Sequence, residues 1–245
     1  MSTLDWNILD TGVRTAQENM QIDAELLASL EVRAAPILHF YDWKRDSATY
    51  GLLVRPSDYL NLDAVKRAGL DLAKRPTGGG IVFHIWDLAF SVLIPAGHPH
   101  FHENTLDNYA FINEAVLRAV SDFLESRSSL ELIPHDGPAF DSSCERFCMA
   151  QPTKYDVVLQ GKKIAGAAQR KTKKGYLHQG TIALKMPSEE YLNAILRPET
   201  KVLEAIQAHT NPLLKTDEDL GEGRKTLREN LTKHLIREPA YVTKT

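Results

Sequence analysis

Apolar side chains recur at helical spacing along some stretches of this chain and form short β-branched runs along others. The clearest helical pattern spans residues 106–124, where an apolar stripe runs from Tyr109 to Phe123. Asn61 and Ser188 are residue types that commonly cap helix N-termini, so helices should begin directly after each of them. The pattern predicts helices over residues 18–30, 62–73, 106–124 and 218–235 and one that opens at 188, and strands over residues 37–41, 49–54, 80–83, 88–94, 155–159, 163–169 and 176–184.

The connections between the predicted strands are mostly short. Gln160-Gly161 is typical of a tight hairpin turn. The stretch 126–148 is rich in Ser, Pro and Asp and predicts an irregular loop, and glycines at 221 and 223 interrupt the last helical pattern. No internal repeat or long linker divides the chain. We therefore predict one α/β domain whose strands are mainly connected by hairpins.

Composition narrows the class of protein. With 43% hydrophobic and 25% charged residues, the 245-residue chain has the make-up of a soluble globular protein. A net charge of −3 disfavours nucleic acid as the main partner, because nucleic-acid-binding domains usually carry a basic face. No apolar run has the length needed to cross a membrane, and the first residues lack the pattern of a signal peptide. We expect a cytoplasmic protein that binds neither nucleic acid nor membrane.

Two groups of possible metal ligands do not add up to a metal site. Cys144 and Cys148 are four residues apart, but no second Cys/His pair with suitable spacing accompanies them. His98, His100 and His102 alternate along a stretch that fits a solvated loop. A lone disulfide is rare in a cytosolic chain. We expect neither a metal nor a disulfide.

The most unusual segment is residues 74–80, Lys-Arg-Pro-Thr-Gly-Gly-Gly. Consecutive glycines let a ligand approach bare backbone N–H groups, and such concave turns bind anions. The glycines are not followed by the lysine of a P-loop, and the residues after Gly80 predict a strand where a dinucleotide motif opens a helix. The segment therefore indicates an anionic ligand, with a simple hairpin turn as the alternative.

A second segment, residues 161–170, begins with Gly-Lys-Lys and continues with small residues. Small side chains leave room for a narrow tunnel, and a lysine at its entrance can hold a carboxylate or phosphate. The alternative is an exposed hairpin lysine beside a tightly packed strand. Further along, His178 and Gly180 interrupt a strand that is otherwise apolar, which again suggests that something approaches it.

Together these motifs resemble the lipoate–protein ligase and octanoyltransferase family. The resemblance rests on residues 75–84, 161–170 and 178–182, and it extends to residues 6–12, 19–23 and 41–43. It implies an α/β (α+β) fold with a mixed, mainly antiparallel sheet flanked by helices, the biotin/lipoate protein ligase catalytic fold. Biotin itself is disfavoured, because the chain has no counterpart of the Arg-rich glycine loop of biotin ligases.

The resemblance also implies roles for individual residues. Lys163 corresponds to the family lysine that polarises the acyl carbonyl, where a cation stabilises the developing oxyanion. Gly166, Ala167 and Ala168 correspond to the wall of the acyl tunnel, and His178 to the pocket mouth. The residues implied to bind the acyl group or nucleotide are Arg75, Thr77, Gly78, Gly79, Gly80, Val82, His84, Gly166, Ala167, Ala168, His178 and Gly180.

Family members attach lipoyl or octanoyl groups to a lysine on the apo lipoyl domains of 2-oxoacid dehydrogenase complexes or on the glycine cleavage protein. Cys148, followed by Pro152-Thr-Lys-Tyr155-Asp156, resembles the nucleophile of stand-alone, cysteine-dependent octanoyltransferases. Such enzymes take octanoate from acyl carrier protein as a thioester and hold no tightly bound cofactor. Lys163 or Lys154 would stabilise the thiolate. An inert loop cysteine is the alternative.

Two other functions stay open. An ATP-dependent ligase, which uses ATP and Mg, is favoured by Gly80 and by Val82-Phe83-His84, and Ile85 stands where an acidic residue often follows the histidine. A non-catalytic paralogue that only binds acylated domains is the second. Ligases commonly carry a further small domain, and residues 188–235 are too few to form one. We predict a single catalytic domain over residues 1–245, with 186–245 as a helical extension.

Overall fold

The protein is described from a computed structural model that covers residues 6–126, 129–137, 140–144, 146–214 and 220–236. The first five residues, the predicted start of the last helix at 218 and the end of the predicted extension lie outside these ranges. The strands are β1 (Asn7–Arg14), β2 (Ile37–Trp43), β3 (Ser47–Tyr50), β4 (Asp71–Lys74), β5 (Ile81–His84), β6 (Asp87–Pro95), β7 (Leu130–Leu132), β8 (Val157–Leu159), β9 (Lys162–Thr172) and β10 (Gly175–Ala183). The α-helices are α1 (Ala16–Ser29), α2 (Leu62–Arg67), α3 (Thr105–Phe123), α4 (Glu189–Ile195), α5 (Val202–His209) and α6 (Leu220–Ile236).

The strands form two sheets. The large sheet has the order β1-β2-β6-β10-β9-β8-β7 and is antiparallel throughout except for the edge pair β1–β2. The small sheet has the order β4-β3-β5, with β3 parallel to β4 and antiparallel to β5. The predicted fold class, a mixed and mainly antiparallel sheet flanked by helices, is confirmed.

The central strands of the large sheet, β6 and β10, are buried on both faces. Successive side chains along a strand point to opposite faces, so they lie in two different environments. Even-numbered residues of β10, such as Tyr176 and Ile182, join the core that α3 and α6 cover. Odd-numbered Leu177 packs with Leu27 and Leu30 at the end of α1, on the opposite face. Helices α4 and α5 pack against the small sheet. None of the described helices combines the length and apolar character needed to span a membrane.

The predicted helix over residues 62–73 is too long. In the structure α2 ends at Arg67, and Gly69 adopts a φ of +70°. The N–H of Leu70 donates to the carbonyl of Val65, and the N–H of Gly69 to that of Lys66, which is the Schellman arrangement that ends helices. The chain then enters β4, so the last three positions of the pattern, residues 71–73, belong to a strand that delivers the glycine-rich segment.

Besides β4, two further strands were not predicted, and one helix is more regular than predicted. β1 is an edge strand with largely exposed residues, so its sequence lacks apolar alternation. β7 has three residues and lies in the stretch predicted as irregular. Helix α6 runs without interruption through Gly221 and Gly223. Gly223 is buried in this helix beside Leu184 and Leu214, and the leucines that follow it anchor the helix in the core.

Candidate active site

A cavity of about 20 Å³ lies between the small sheet and the face of the large sheet opposite α3 and α6. Strands from both sheets contribute its walls. Eight of the residues implied by the resemblance line it: Arg75, Val82, His84, Cys148, Gly166, Ala167, Ala168 and Gly180. Five further lining residues were not predicted: Met20, Tyr41, Thr49, Gln179 and Thr181.

Arg75 is a buried cation in the cavity wall, with 4% of its surface exposed. Its Nε donates to Thr77 Oγ1 at 3.1 Å and its Nη2 to the Gly78 carbonyl at 2.7 Å. Its Nη1 donates to the carbonyl and hydroxyl oxygens of Thr49. Desolvation lowers the pKa of Arg75 from its ordinary value. Within the described part of the chain no carboxylate forms an ion pair with Arg75, so its charge is available to an anion or to a polarised carbonyl.

The third glycine of the segment serves the protein's own chain. A Cβ on Gly80 would lie 2.0 Å from the carbonyl oxygen of Arg146, so only glycine lets residues 146–147 pass this closely. The adjoining residue Ile81 forms a parallel bridge with Phe147. Cys148 follows directly and opens a short 3₁₀ turn over Cys148–Ala150. Close approach at Gly80 therefore positions the cysteine at the cavity.

Lys163 is 1% exposed and lies behind Cys148. Its Nζ donates to the Cys148 carbonyl at 2.7 Å and lies 3.8 Å from Cys148 Sγ. It also forms an ion pair of 2.6 Å with Asp156 Oδ2. The carboxylate of Asp156 is in turn held by the N–H and hydroxyl of Thr153, at 2.6 and 2.8 Å. The ammonium group is thus oriented between a buried carboxylate and the cysteine.

The charge state of Lys163 follows from two opposing effects. Burial by itself lowers the pKa of the amine, because a charged group loses its hydration. The nearby Asp156 carboxylate and Cys148 outweigh that effect, so the pKa of Lys163 is raised above its ordinary value. Lys163 is therefore a cation at neutral pH, suited to stabilising a thiolate or an oxyanion rather than to accepting a proton.

Gly166 leaves the space that the Lys163 side chain occupies. A Cβ on Gly166 would lie 2.4 Å from Cε and 2.7 Å from Nζ of Lys163. We expect Gly166→Ala to displace the ammonium from Cys148. The kcat/KM of the acyl transfer that the resemblance implies should then fall on the order of a hundredfold, since small misplacements of a reacting group cost about that much. Steady-state kinetics and a thermal unfolding scan measure the two effects separately.

Gly223→Ala is the matched control for that variant. Its added Cβ would meet Leu184 at 3.4 Å, an ordinary contact, and it lies inside α6, where alanine is a better helix former than glycine. We expect Gly223→Ala to keep the activity of the parent protein. If Gly166→Ala kept it too, the position of Lys163 would be irrelevant to the reaction.

His84 lies at the other end of the cavity in a chain of hydrogen bonds with a fixed direction. The Asp87 carboxylate can only accept, so the neutral imidazole of His84 carries its hydrogen on Nδ1 and its Nε2 accepts from the Thr49 hydroxyl at 2.9 Å, while Arg75 Nη1 donates to Thr49 Oγ1. His84 Nδ1 then donates to Asp87 Oδ2 at 2.7 Å. The His84 ring stacks on Trp43 with centroids 4.3 Å apart. Asp87 thus supplies the carboxylate at a site where Ile85 directly follows the histidine.

The structure brings Gln179, and not His178, to the cavity. Strand alternation places His178 on the face covered by α3, where its ring lies 6.2 Å from that of Phe90 and Nδ1 pairs with Gln169 at 2.8 Å. Burial lowers the pKa of His178 to about 3. His178 therefore lies away from the pocket mouth, the position that the resemblance implied for it. The sequence signal that distinguishes the two residues is the period-two alternation of a strand, which places the neighbours Gln179 and His178 on opposite faces of β10.

An apolar cavity of about 40 Å³ adjoins the first one and shares Val82 and Thr181 with it. Phe83, Phe147 and Met149 line it, with further apolar residues from α4 and α5. Among the described residues, no group of three or more His, Cys, Asp or Glu side chains could hold a metal ion. Cys144 is buried and its Sγ donates to the Asp141 carbonyl, away from Lys163.

Residues 15–213 match the family described as "Lipoyl protein ligase A/B catalytic domain". Octanoyltransferase LipM of Bacillus subtilis is 26% identical over 233 residues, which cover 91% of this chain and 84% of that protein. Octanoyltransferase LipM of Lysinibacillus sphaericus is 30% identical over 190 residues, which cover 77% of this chain and 69% of that protein.

Two solved structures share the fold. A bipartite lipoate protein ligase of Thermoplasma acidophilum, described with its E2 lipoyl domain, has a TM-score of 0.68 and 23% identity and covers 94% of this chain and 84% of its own. A lipoate-protein ligase A bound with ATP has a TM-score of 0.67 and 24% identity and covers 94% and 85%. At these identities the likeness concerns the fold alone.

Proposed function

This chain belongs to the lipoyl protein ligase A/B family and is an acyltransferase of that family, and on that premise we propose that it transfers an octanoyl group through a Cys148 thioester to the lysine of a lipoyl domain. The donor in this proposal is octanoyl-acyl carrier protein. The acceptor is an apo lipoyl domain of a 2-oxoacid dehydrogenase complex or the glycine cleavage protein, met in the cytoplasm. The relatives named octanoyltransferases support the acyl group, and the family match predicted from the motifs is confirmed.

The observation that carries the proposal is the pairing of Cys148 with Lys163. A thiol becomes a nucleophile as its thiolate, and a cation nearby stabilises that anion. The Lys163 ammonium lies 3.8 Å from Sγ and is kept in place by the Cys148 carbonyl and Asp156. Cys148 is half-buried and lines the cavity, so its sulfur faces the space in which an acyl group would react.

The reaction consists of two acyl transfers. In the first, the Cys148 thiolate attacks the thioester carbonyl of the donor, the new S–C bond forms, and the carrier's thiol leaves with the proton that Cys148 has lost. In the second, the acceptor amine attacks the Cys148 thioester, an amide bond forms, and the amine proton ends on the departing Cys148 sulfur. Lys163 stabilises the oxyanion in both steps and keeps its own proton.

The acyl chain requires more space than the first cavity contains. Benzene fills an apolar cavity of roughly 150 Å³, and an eight-carbon chain is larger, whereas this cavity measures about 20 Å³. The neighbouring apolar cavity begins at Val82 and Thr181. Binding of the donor therefore has to separate the cavity walls, and small side chains at Gly166, Ala167 and Ala168 limit how far they must move.

Intact-mass measurement tests this route directly. The protein is mixed with octanoyl-acyl carrier protein and no ATP, and its mass is recorded before and after an apo lipoyl domain is added. We expect one octanoyl adduct that maps to Cys148 and then moves to the lipoyl-domain lysine. Transfer by this route requires no bound cofactor.

The alternatives give different results in the same experiment. An ATP-dependent ligase would acylate the lipoyl domain only from free lipoate or octanoate with ATP and Mg, and without an adduct on Cys148. A non-catalytic paralogue would modify the lipoyl domain under neither condition. Either result would overturn the thioester route.

A further inference from the structure

A second directed chain of hydrogen bonds leaves Arg75 and ends at a buried carboxylate on α1. Arg75 Nε donates to Thr77 Oγ1 at 3.1 Å, and the Thr77 hydroxyl donates to Gln179 Oε1 at 2.7 Å. Gln179 Nε2 donates to Asp23 Oδ2 at 2.6 Å. The chain crosses from the glycine-rich segment through β10 to α1, so it ties the cavity wall to the face of the large sheet.

The direction of every bond in this chain is determined by its two ends. A guanidinium can only donate and a carboxylate can only accept. Thr77 therefore accepts from Arg75 and must give its own hydrogen to Gln179. Gln179 must present its NH₂ group to Asp23, because the reverse amide orientation would place its oxygen against the Asp23 carboxylate, and its oxygen can then only accept from the Thr77 hydroxyl. A single arrangement of Gln179 satisfies the whole chain.

Asp23 is itself held by several donors. It is completely buried and accepts from Ser91 Oγ at 2.6 Å in addition to Gln179. Its second oxygen pairs with His39 Nδ1 at 2.8 Å, and His39 is also completely buried. Carboxylates buried in this way are costly unless every lone pair is used. Three hydrogen bonds thus fix the position of the carboxylate at the end of this hydrogen-bond chain.

The hydrogen bonds that Arg75 makes within the protein leave one of its N–H groups for a ligand. A guanidinium has five N–H hydrogens. Thr77 and Gly78 share the one on Nε, Thr49 takes both on Nη1, and Gly78 takes one on Nη2. The remaining Nη2 hydrogen has no acceptor among the residues that the structure describes. Its direction depends on how Thr77 holds the guanidinium.

We propose that Gln179 and Asp23 are positioning residues that orient Arg75, through Thr77, toward the carbonyl oxygen of the acyl donor. The role as stated rests on the proposed acyl transfer. The geometry that underlies it is independent of any substrate, since both residues act on Arg75 in the free protein. A misoriented guanidinium would weaken the donor complex more than it slows the later chemistry.

The test compares two substitutions at Gln179. Gln179→Leu removes the acceptor for Thr77 and the donor to Asp23 at nearly constant size. Gln179→His offers one acceptor and one donor nitrogen, as a neutral imidazole does, and is expected to restore the chain. Gln169→Leu is the matched control, because Gln169 pairs with His178 on the other face of the same sheet.

Two measurements are made on each variant. The first is the exchange with solvent of the Arg75 Nε–H signal in ¹⁵N NMR spectra of the free protein, assigned through its absence in Arg75→Lys. The second is the steady-state KM for octanoyl-acyl carrier protein alongside kcat. We expect faster Nε–H exchange and a KM raised about tenfold in Gln179→Leu, with both values restored in Gln179→His and unchanged in Gln169→Leu.

Two results would overturn the assignment. One is unchanged Nε–H exchange and KM in Gln179→Leu, and the other is a Gln179→His variant that behaves like Gln179→Leu. If the unsubstituted protein transferred no octanoyl group, the proposed function would fail, and the NMR measurement would still decide whether Gln179 positions Arg75.

Discussion

Replacement of Cys148 by alanine is expected to abolish octanoyl transfer from acyl carrier protein to the lipoyl domain. The substitution removes the only atom of this protein that bonds to the acyl group in the proposed route. Loss of a nucleophile costs at least roughly a thousandfold in kcat. The fold should be unaffected, because the segment is anchored through its backbone, with Lys163 Nζ bound to the Cys148 carbonyl and Thr210 Oγ1 to that of Met149. Intact mass and a coupled transfer assay measure the loss.

Cys144→Ala is the matched control, four residues earlier in the same segment. Its thiol is buried and donates to the Asp141 carbonyl. We expect this variant to transfer octanoate at the parent rate.

Full activity of Cys148→Ala with lipoate, ATP and Mg would instead assign the ligase reaction to this chain and exclude the thioester route.

The second large effect is expected from Lys163→Met. The variant keeps the length of the side chain and removes the ammonium that lies 3.8 Å from Cys148 Sγ and that, in the proposed route, stabilises the carbonyl oxygen of the acyl group. Both half-reactions should become undetectable, because the thiolate and the oxyanion lose the same cation. Alkylation of Cys148 by iodoacetamide, followed by mass spectrometry, should slow as well, since that reaction requires the thiolate but no substrate.

Lys163→Met should also destabilise the protein, and a second substitution separates the two consequences. Loss of the cation leaves Asp156 buried without its ion-pair partner, which costs about 3 kcal/mol of the free energy of unfolding. The double variant Lys163→Met/Asp156→Asn removes the stranded charge and should recover part of that stability without recovering transfer. Denaturant unfolding and the transfer assay are run on the same samples.

Lys162→Met provides the control for the loss of a lysine from the same strand. Its side chain is exposed and its Nζ contacts the carbonyl of Gln207. We expect parent activity and stability within about 0.5 kcal/mol, as for most surface substitutions. Transfer by the double variant at the parent rate would show that the Lys163 charge has no part in the reaction.

Local sequence patterns predicted most of the secondary structure and failed where tertiary contacts override them. Residues 71–73 continue the pattern of a helix, yet Gly69 ends α2 and pairing with β3 makes them part of a strand. β1 has no apolar alternation because it lies at the sheet edge with largely exposed side chains. α6 passes through two glycines because Leu227, Leu231 and Leu235 pack into the main core and compensate for weak helix propensity.

The same distinction between local sequence patterns and tertiary contacts applies to the residues of the candidate site. Residue types and order were enough to indicate the family, the glycine-rich segment and the lysine that the resemblance assigns to the acyl carbonyl, because each of these depends on the chain's own sequence. The ion pair of Lys163 with Asp156 and the contact between Thr49 and His84 join residues from different elements, and their spacing along the chain carries no signal for them. His178 and Gln179 are neighbours in sequence, and only the pleat of β10 placed Gln179 at the cavity.

The sequence by itself determined which groups this protein has for its chemistry: a thiol, a lysine, an arginine and a run of residues small enough to leave space among them. Only the tertiary structure decided which of these groups meet. Arg146 passes Gly80 closely enough to bring Cys148 to Lys163. The hydrogen bonds that run from Arg75 to Asp23 connect the glycine-rich segment with β10 and α1. Such contacts depend on the distances and directions that packing imposes on side chains far apart in sequence, which residue order alone does not specify.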